Sequence, residues 1–303
     1  VTSHAGNTNT NTNTTSQASQ TAVMAAAARA AHLLVDAEPR IFADTVAAAL
    51  LGDRAEELLG YHRVHGAHPI LAGARAQAVT RSRYTEDALA GAVRRGVTQY
   101  VVLGAGLDSF AYRSALADRL RVFEVDHPAT QRGKRDALAA AGIAEPATLT
   151  FVPVDFETDS LADQLRRAGF DATRPAMVSW LGVTMYLTRE ALGQTLAVLG
   201  GFAPGSEIIA DYILPAEMRD GAGAAYVSAV MSAAADGGEP WLTVLSPDAM
   251  SALLEEHGFV VVEHVGQRDS VDAALWERTD ALRPAELANL VRARVGERRN
   301  PAS

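Results

Sequence analysis

An apolar strand, a glycine turn, a helix and a second strand ending in acid follow one another between residues 99 and 126, and no other stretch constrains the fold as tightly. Gln99 to Leu103 supplies the first strand, Gly104-Ala105-Gly106-Leu107-Asp108-Ser109 the turn, and Arg121-Val-Phe-Glu-Val-Asp126 the second strand. Glycines at 104 and 106 permit a tight turn and let a ligand approach the backbone, because neither carries a Cβ. Asp126 lies 22 residues after Gly104, at a strand end where an acid accepts hydrogen bonds from two ribose hydroxyls. The pattern is that of a nucleoside-cofactor site. Ser109 stands where the dinucleotide fingerprint has its third glycine, so the turn by itself leaves NAD, S-adenosylmethionine and a purely structural turn all open.

The flanking sequence predicts an α/β fold. Apolar runs at Tyr100 to Leu103, Val122 to Val125, Leu149 to Val154, Ala176 to Leu181 and Glu207 to Ile213 alternate with helical stretches, with further strands at Phe259 to Val265 and Leu290 to Val295. Such alternation implies a doubly wound, mainly parallel sheet with helices on both faces and ligands at the carboxyl ends of the strands. Residues 22–95, Ala-rich with apolar side chains at three- and four-residue spacing, predict an N-terminal helical cap, and 96–303 the α/β domain. An Ala- and Gly-rich insertion at about 215–245 is expected to form a lid beside the pocket. Residues 1–21, dominated by Asn, Thr, Ser and Gln, have too little apolar surface to offset the entropy of ordering and are expected to form a disordered leader.

Composition narrows the function. A formal net charge of −9 with scattered basic residues argues against a nucleic-acid partner. The chain has no cysteine, which removes disulfides, zinc–thiolate sites and cysteine nucleophiles. No uninterrupted apolar run is long enough to cross a bilayer, and the expected location is the cytoplasm. His62, His65 and His68, spaced by three, suggest a metal only weakly, since no acids stand near them at ligand spacing. A solvated helix end is the expectation, with no metal.

The third strand ends Val152-Pro-Val-Asp155-Phe156, where an acid can accept from an adenine amino group and a ring can cover the base; Asp155 also suits a helix N-cap. Three segments then carry a resemblance. Val102-Leu-Gly-Ala-Gly-Leu-Asp-Ser-Phe-Ala-Tyr-Arg113, Phe123-Glu-Val-Asp-His-Pro128 and Val178-Ser-Trp-Leu-Gly-Val-Thr-Met-Tyr-Leu187 resemble the leucine carboxyl methyltransferase family, in particular its bacterial S-adenosylmethionine-dependent O-methyltransferases. The similarity covers about residues 22 to 265. It implies a class I methyltransferase fold with S-adenosylmethionine as cofactor. It further implies Arg83 as the grip on the methionyl carboxylate, Arg29 as a second basic cofactor-binding position in the N-terminal cap, Gly104, Ala105 and Gly106 as the loop under the methionine part, Asp126 as ribose acceptor, and Asp155 with Phe156 as adenine contacts. Many family members carry Glu in the fourth-strand motif where this chain has Trp180-Leu181-Gly182, so a backbone carbonyl at Leu181 is the expected substitute.

Methyl transfer needs alignment and exclusion of water more than a strong base. Tyr186, after the fourth strand, and Tyr212, in the fifth, are the candidates to bind acceptor oxygen; either also suits a core position. Met218, Tyr226, Met231 and Trp241 make the lid region apolar and favour a small molecule, a secondary metabolite bearing a carboxylate or phenol. Two alternatives remain at this point. An NAD(P)-dependent oxidoreductase is disfavoured because the chain's single lysine, Lys134, belongs to no Tyr-x-x-x-Lys set, and a cofactor-binding protein without turnover is the other.

Overall fold

The computed structural model describes residues 19–155, 158–236 and 240–297. The helical cap comes first: α1 (Gln20–Val35), α2 (Ala47–Leu50), α3 (Ala55–His65) and α4 (Pro69–Arg94). The α/β part follows as β1 (Gln99–Leu103), α5 (Phe110–Arg113), β2 (Arg121–Asp126), α6 (Pro128–Ala140), β3 (Leu149–Pro153), α7 (Leu161–Arg167), β4 (Met177–Trp180) and α8 (Arg189–Gly200). The chain ends with β5 (Glu207–Ile213), α9 (Gly221–Asp236), α10 (Pro247–Glu256), β6 (Phe259–Gly266) and β7 (Ala288–Val295).

The strands form one sheet in the order β3-β2-β1-β4-β5-β7-β6. Strands β1 to β5 are parallel, and β7 enters antiparallel between β5 and β6. After β1 the chain winds outward through β2 and β3, then returns to place β4 on the other side of β1. That reversal opens a crevice beyond the carboxyl ends of β1 and β4, where open α/β sheets bind ligands.

Both faces of the sheet are covered at its centre, where β1, β4 and β5 are buried throughout, which is why these strands read as continuous apolar runs rather than alternating ones. Val101, Leu103, Phe123, Val125 and Trp180 pack on one face with Leu165, Leu196 and Leu254. Tyr100, Val102, Val122, Met177 and Ile209 pack on the other with Leu89 and Val93 of α4 and Phe110 of α5. Trp180 is therefore a core residue, 1% exposed.

The cap is held by small residues. Ala26, Ala27, Ala30 and Ala31 of α1 are buried against Leu50 of α2, Leu58 and Leu59 of α3, and Leu107 beyond the glycine turn. A helix faced with alanine lets backbones approach closely, and here it brings α1 down onto the turn. Helix α1 begins earlier than the sequence predicts: Ser19 caps it, its hydroxyl accepting from the Ala22 N–H, so residues 19–21 belong to the helix start rather than the leader. Residues 1–18 lie outside the described residues. The predicted lid contains α9, which meets α4 where Tyr226 packs over Gly73. No described helix is long and apolar enough to cross a membrane.

Candidate active site

A cavity of about 400 Å³ occupies the crevice. Its floor is Val102 to Asp108, its sides are Asp126 and the segment Leu181-Gly182-Val183, and its roof is α1 and α4 through Ala22, Ala25, Arg29 and Arg81. The two glycines have a structural task beside the one read from sequence. Gly104 (φ 63°) and Gly106 (φ 49°) both lie in the left-handed region. A Cβ at 104 would collide with Val183, and one at 106 would come within 2.8 Å of the Ala22 Cβ. The turn is glycine because protein closes on it from both sides, β4 on one and α1 on the other.

Asp126 ends β2 beneath this turn. Its carboxylate accepts from the Gly106 N–H at 2.5 Å and from the His127 N–H at 2.7 Å, so the acid clasps the turn at the cavity wall. Burial raises its pKa, against the pull of these backbone donors and of Lys134. Glu124, two residues earlier, does not reach the cavity. It pairs with Lys134 of α6 at 2.5 Å, both side chains buried, and burial pushes its pKa up to about 7 despite the lysine.

Two guanidiniums face the same cavity. Arg29 donates through Nε to Asp44 (2.7 Å) and through Nη2 to the Leu107 carbonyl (2.7 Å). Burial opposes ionisation of Asp44, yet Arg29 and Arg113 together hold its carboxyl below the ordinary range. Arg81 donates through Nη1 to Asp211 (2.9 Å), whose other oxygen accepts from the Gly182 N–H (2.6 Å). Asp211 is fully buried, so the pair fixes the guanidinium against the β4 loop. Gly182, at φ 71°, leaves room for it, since a Cβ there would lie 2.8 Å from Arg81 Nη2.

The structure separates the sequence candidates. Arg29, Gly104, Ala105, Gly106, Asp126, Leu181 and Tyr186 all line the cavity. Arg83 does not: it donates to Asp87 (2.6 Å) and to the Ile41 carbonyl (3.4 Å), and the residue of α4 that reaches the cavity is Arg81. Helical geometry separates the two, because two residues turn the side chain by roughly 200°. Tyr212 is also displaced from its expected place. It is 1% exposed, its hydroxyl lies 2.8 Å from Nδ1 of His264, and burial raises its pKa. Asp155 is half-buried beyond β3 and is not among the residues that line the cavity; nor is it a helix cap, since Ser160 caps α7. Phe156 lies outside the described residues. Of the three histidines expected on a solvated helix end, His65 and His68 are exposed, His65 tilted against Tyr61 and His68 capping α4, whereas His62 is buried, 3% exposed. No metal-binding group occurs among the described residues.

A second, more apolar cavity of about 150 Å³ adjoins the first. Thr21, Ala25, Arg81, Gly182 and Tyr186 line both, and from that junction the second runs between α1, α4 and the lid. Met24, Leu71, Met185, Ile213, Val230 and Leu287 make its walls. Trp241, whose ring meets Tyr186 edge-on with centroids 6.5 Å apart, closes one side.

The strand order, the glycine turn and the acid after β2 define a Rossmann-like fold of the methyltransferase class. The model of the leucine carboxyl methyltransferase family matches residues 22–200, and the chain belongs to that family. A Bacillus subtilis (strain 168) relative named "Putative S-adenosyl-L-methionine-dependent methyltransferase YktD" is 36% identical over 217 residues, 71% of each chain. A Mycolicibacterium gilvum relative of the same description is 36% identical over 221 residues, 69% of this chain and 70% of that one. Among solved structures, a DUF574 family protein from Streptomyces avermitilis has the same fold at 18% identity and a TM-score of 0.56, covering 88% of this chain and 96% of that one. The protein is an S-adenosylmethionine-dependent methyltransferase.

The cavity suits that cofactor. Arg29 and Arg81 supply N–H donors beside those spent on Asp44, Leu107 and Asp211, matching a carboxylate, while Asp126 supplies acceptors for hydroxyls.

Proposed function

We propose that the protein transfers a methyl group to a carboxylate or phenol oxygen of a small molecule, a secondary metabolite, in the cytoplasm and without a nucleic-acid or membrane partner. The observation that carries this reading is the apolar chamber joined to the cofactor cavity at Tyr186 and Arg81. Its walls match a compact, largely apolar acceptor better than a charged polymer, and the net charge of −9 disfavours polyanions.

Each residue has a task in this scheme. Arg29 and Arg81 hold the methionyl carboxylate, and Asp126 accepts from the ribose. The turn at Gly104, Ala105 and Gly106 supports the cofactor's middle, and Leu181 lines it from the β4 side. S-adenosylmethionine, when bound, supplies a methyl group on a sulfonium that is already electrophilic. An ionised acceptor oxygen therefore needs little base, and the chain's contribution is alignment and a dry junction. Tyr186 hydrogen-bonds the acceptor oxygen there, and Trp241 screens it from solvent. Asp155 accepts from the adenine amino group and Phe156 covers the base.

Release of labelled methyl from the cofactor into a panel of small carboxylates, phenols, amines and protein carboxyl termini tests the proposal. Labelled esters or aryl ethers support it. Labelling confined to nitrogen acceptors or to protein carboxyl termini overturns it.

A further inference from the structure

The chamber that adjoins the cofactor cavity has a polar group at its remote part that methyl transfer does not use. Helix α4 lines the chamber with Leu71, Ala74, Ala78 and Arg81, one face of the helix. At a rise of about 1.5 Å per residue the chamber follows this helix for about 15 Å from the junction at Arg81 to Leu71. Beside α4, His62 of α3 also lines the chamber.

Its ring is held by a buried network. Arg75 donates to both oxygens of Asp36 at 2.8 Å and to the Gly66 carbonyl at 2.7 Å, and its Nη1 lies 3.3 Å from His62 Nδ1. Asp36 also accepts from His32 Nδ1 (2.9 Å), whose Nε2 in turn accepts from the Ile41 N–H (3.1 Å). A guanidinium has no acceptor, so Nδ1 of His62 must be the acceptor and the ring proton sits on Nε2. Burial, with the Arg75 charge beside it and Asp36 opposing, lowers the His62 pKa to about 4, so the ring is neutral at physiological pH. Among the described residues Nε2 has no hydrogen-bond partner. The network presents an N–H donor, fixed in tautomer, to a mostly apolar chamber that the Gln77 side chain and the Trp241 ring also line, the Trp241 Nε1 being buried without a partner among the described residues.

We infer that His62 is a specificity-determining residue: its Nε2–H receives a hydrogen-bond-accepting group at the far end of the acceptor molecule, remote from the oxygen that is methylated. Arg75, which holds His62, is six residues from Arg81, a rise of about 9 Å along the helix axis. An elongated acceptor with oxygen at both ends, such as a hydroxycinnamate, suits a chamber drawn out along this helix. The inference rests on the methyltransferase reading of the adjoining cavity and refines its acceptor.

The test uses two probes of one shape, 4-hydroxycinnamate and 4-methylcinnamate, titrated calorimetrically into the protein saturated with S-adenosylhomocysteine. The hydroxyl compound binds about tenfold more tightly, equivalent to about 1.4 kcal/mol. His62→Phe abolishes this preference, and His62→Gln, which keeps a side-chain donor, retains part of it. Nitrogen NMR of labelled histidine follows His62 directly: its Nε2 proton shifts downfield with the hydroxyl probe and not with the methyl probe, a response that a purely structural histidine does not give. If His62→Phe fails to fold, the wild-type preference and the NMR shift decide. Equal affinity for the two probes, a preference that survives in His62→Phe, or no binding of either to protein that holds S-adenosylhomocysteine overturns the inference. Failure to bind S-adenosylhomocysteine at all instead overturns the reading of the first cavity.

Discussion

Substitution of Gly106 by alanine tests whether the glycine turn is shaped by the helix that covers it. Two costs are separable. A non-glycine residue in the left-handed region costs roughly 1 kcal/mol wherever it occurs. Gly142, at φ 67° with open space around it, isolates that cost, so Gly142→Ala is expected to lose about 1 kcal/mol of stability and leave cofactor affinity unchanged. Gly106→Ala bears the same cost and also sets a Cβ 2.8 Å from the Ala22 Cβ, closer than two methyl groups approach. Overpacking of this kind costs about 1–3 kcal/mol, for a total of about 2–4 kcal/mol. Relief requires α1 to lift, and α1 carries Arg29, so affinity for S-adenosylhomocysteine should fall at least about tenfold, or 1.4 kcal/mol. Adding Ala22→Gly removes the opposing methyl; the nearest remaining atom there is the Ala22 Cα at 3.8 Å. The double variant should therefore recover affinity although Ala22→Gly alone weakens the helix. Urea denaturation and isothermal calorimetry supply both quantities. Gly106→Ala behaving like Gly142→Ala, or a double variant no better than the single, would show that α1 does not shape the turn.

Three further outcomes follow from the same geometry. Arg81→Ala should weaken S-adenosylhomocysteine binding by at least about tenfold, whereas Arg83→Ala, which loses an exposed pair worth about 0.5 kcal/mol, should leave calorimetric affinity unchanged. Tyr212→Phe should cost about 1 kcal/mol through the lost His264 contact with turnover intact, while Tyr186→Phe should lower turnover, as thermal melts and steady-state assays would record. Glu124 has a native pKa of about 7, raised by burial above its ordinary 4.5, so between those values the folded state binds more protons than the unfolded one. Its contribution to stability is thus present below pH 4.5 and lost as pH rises through 7; stability of Glu124→Gln measured against pH should lack this downward slope.

Much of the sheet was legible because its signals are local. β1 and its turn, the acid closing β2, and the apolar β5 each lie within a few residues of sequence, and the strand ranges differ from expectation only at their ends. Burial on both faces leaves no alternation to misread. What was missed depends on contacts between distant segments. The register of α4 decides between Arg81 and Arg83, and the apolar spacing Leu71, Ala74, Ala78 already pointed along the face that holds Arg81. Tyr212 is covered by His264, which follows it by 52 residues, and nothing near either residue signals the pairing. The burial of His62 likewise depends on Asp36 and Arg75, brought together only when α3 and α4 fold back against the end of α1.

In the proposed complex Asp126, the turn at 104–106 and the guanidiniums of Arg29 and Arg81 grip one molecule of S-adenosylmethionine with its methyl group toward the apolar chamber. A crystal structure with S-adenosylhomocysteine makes that grip visible. Ribose hydroxyls are expected on the Asp126 carboxylate, the amino-acid carboxylate on Arg29 and Arg81, and sulfur facing the junction at Tyr186. A ligand whose carboxylate lies away from both guanidiniums, or whose sulfur faces away from that junction, contradicts it.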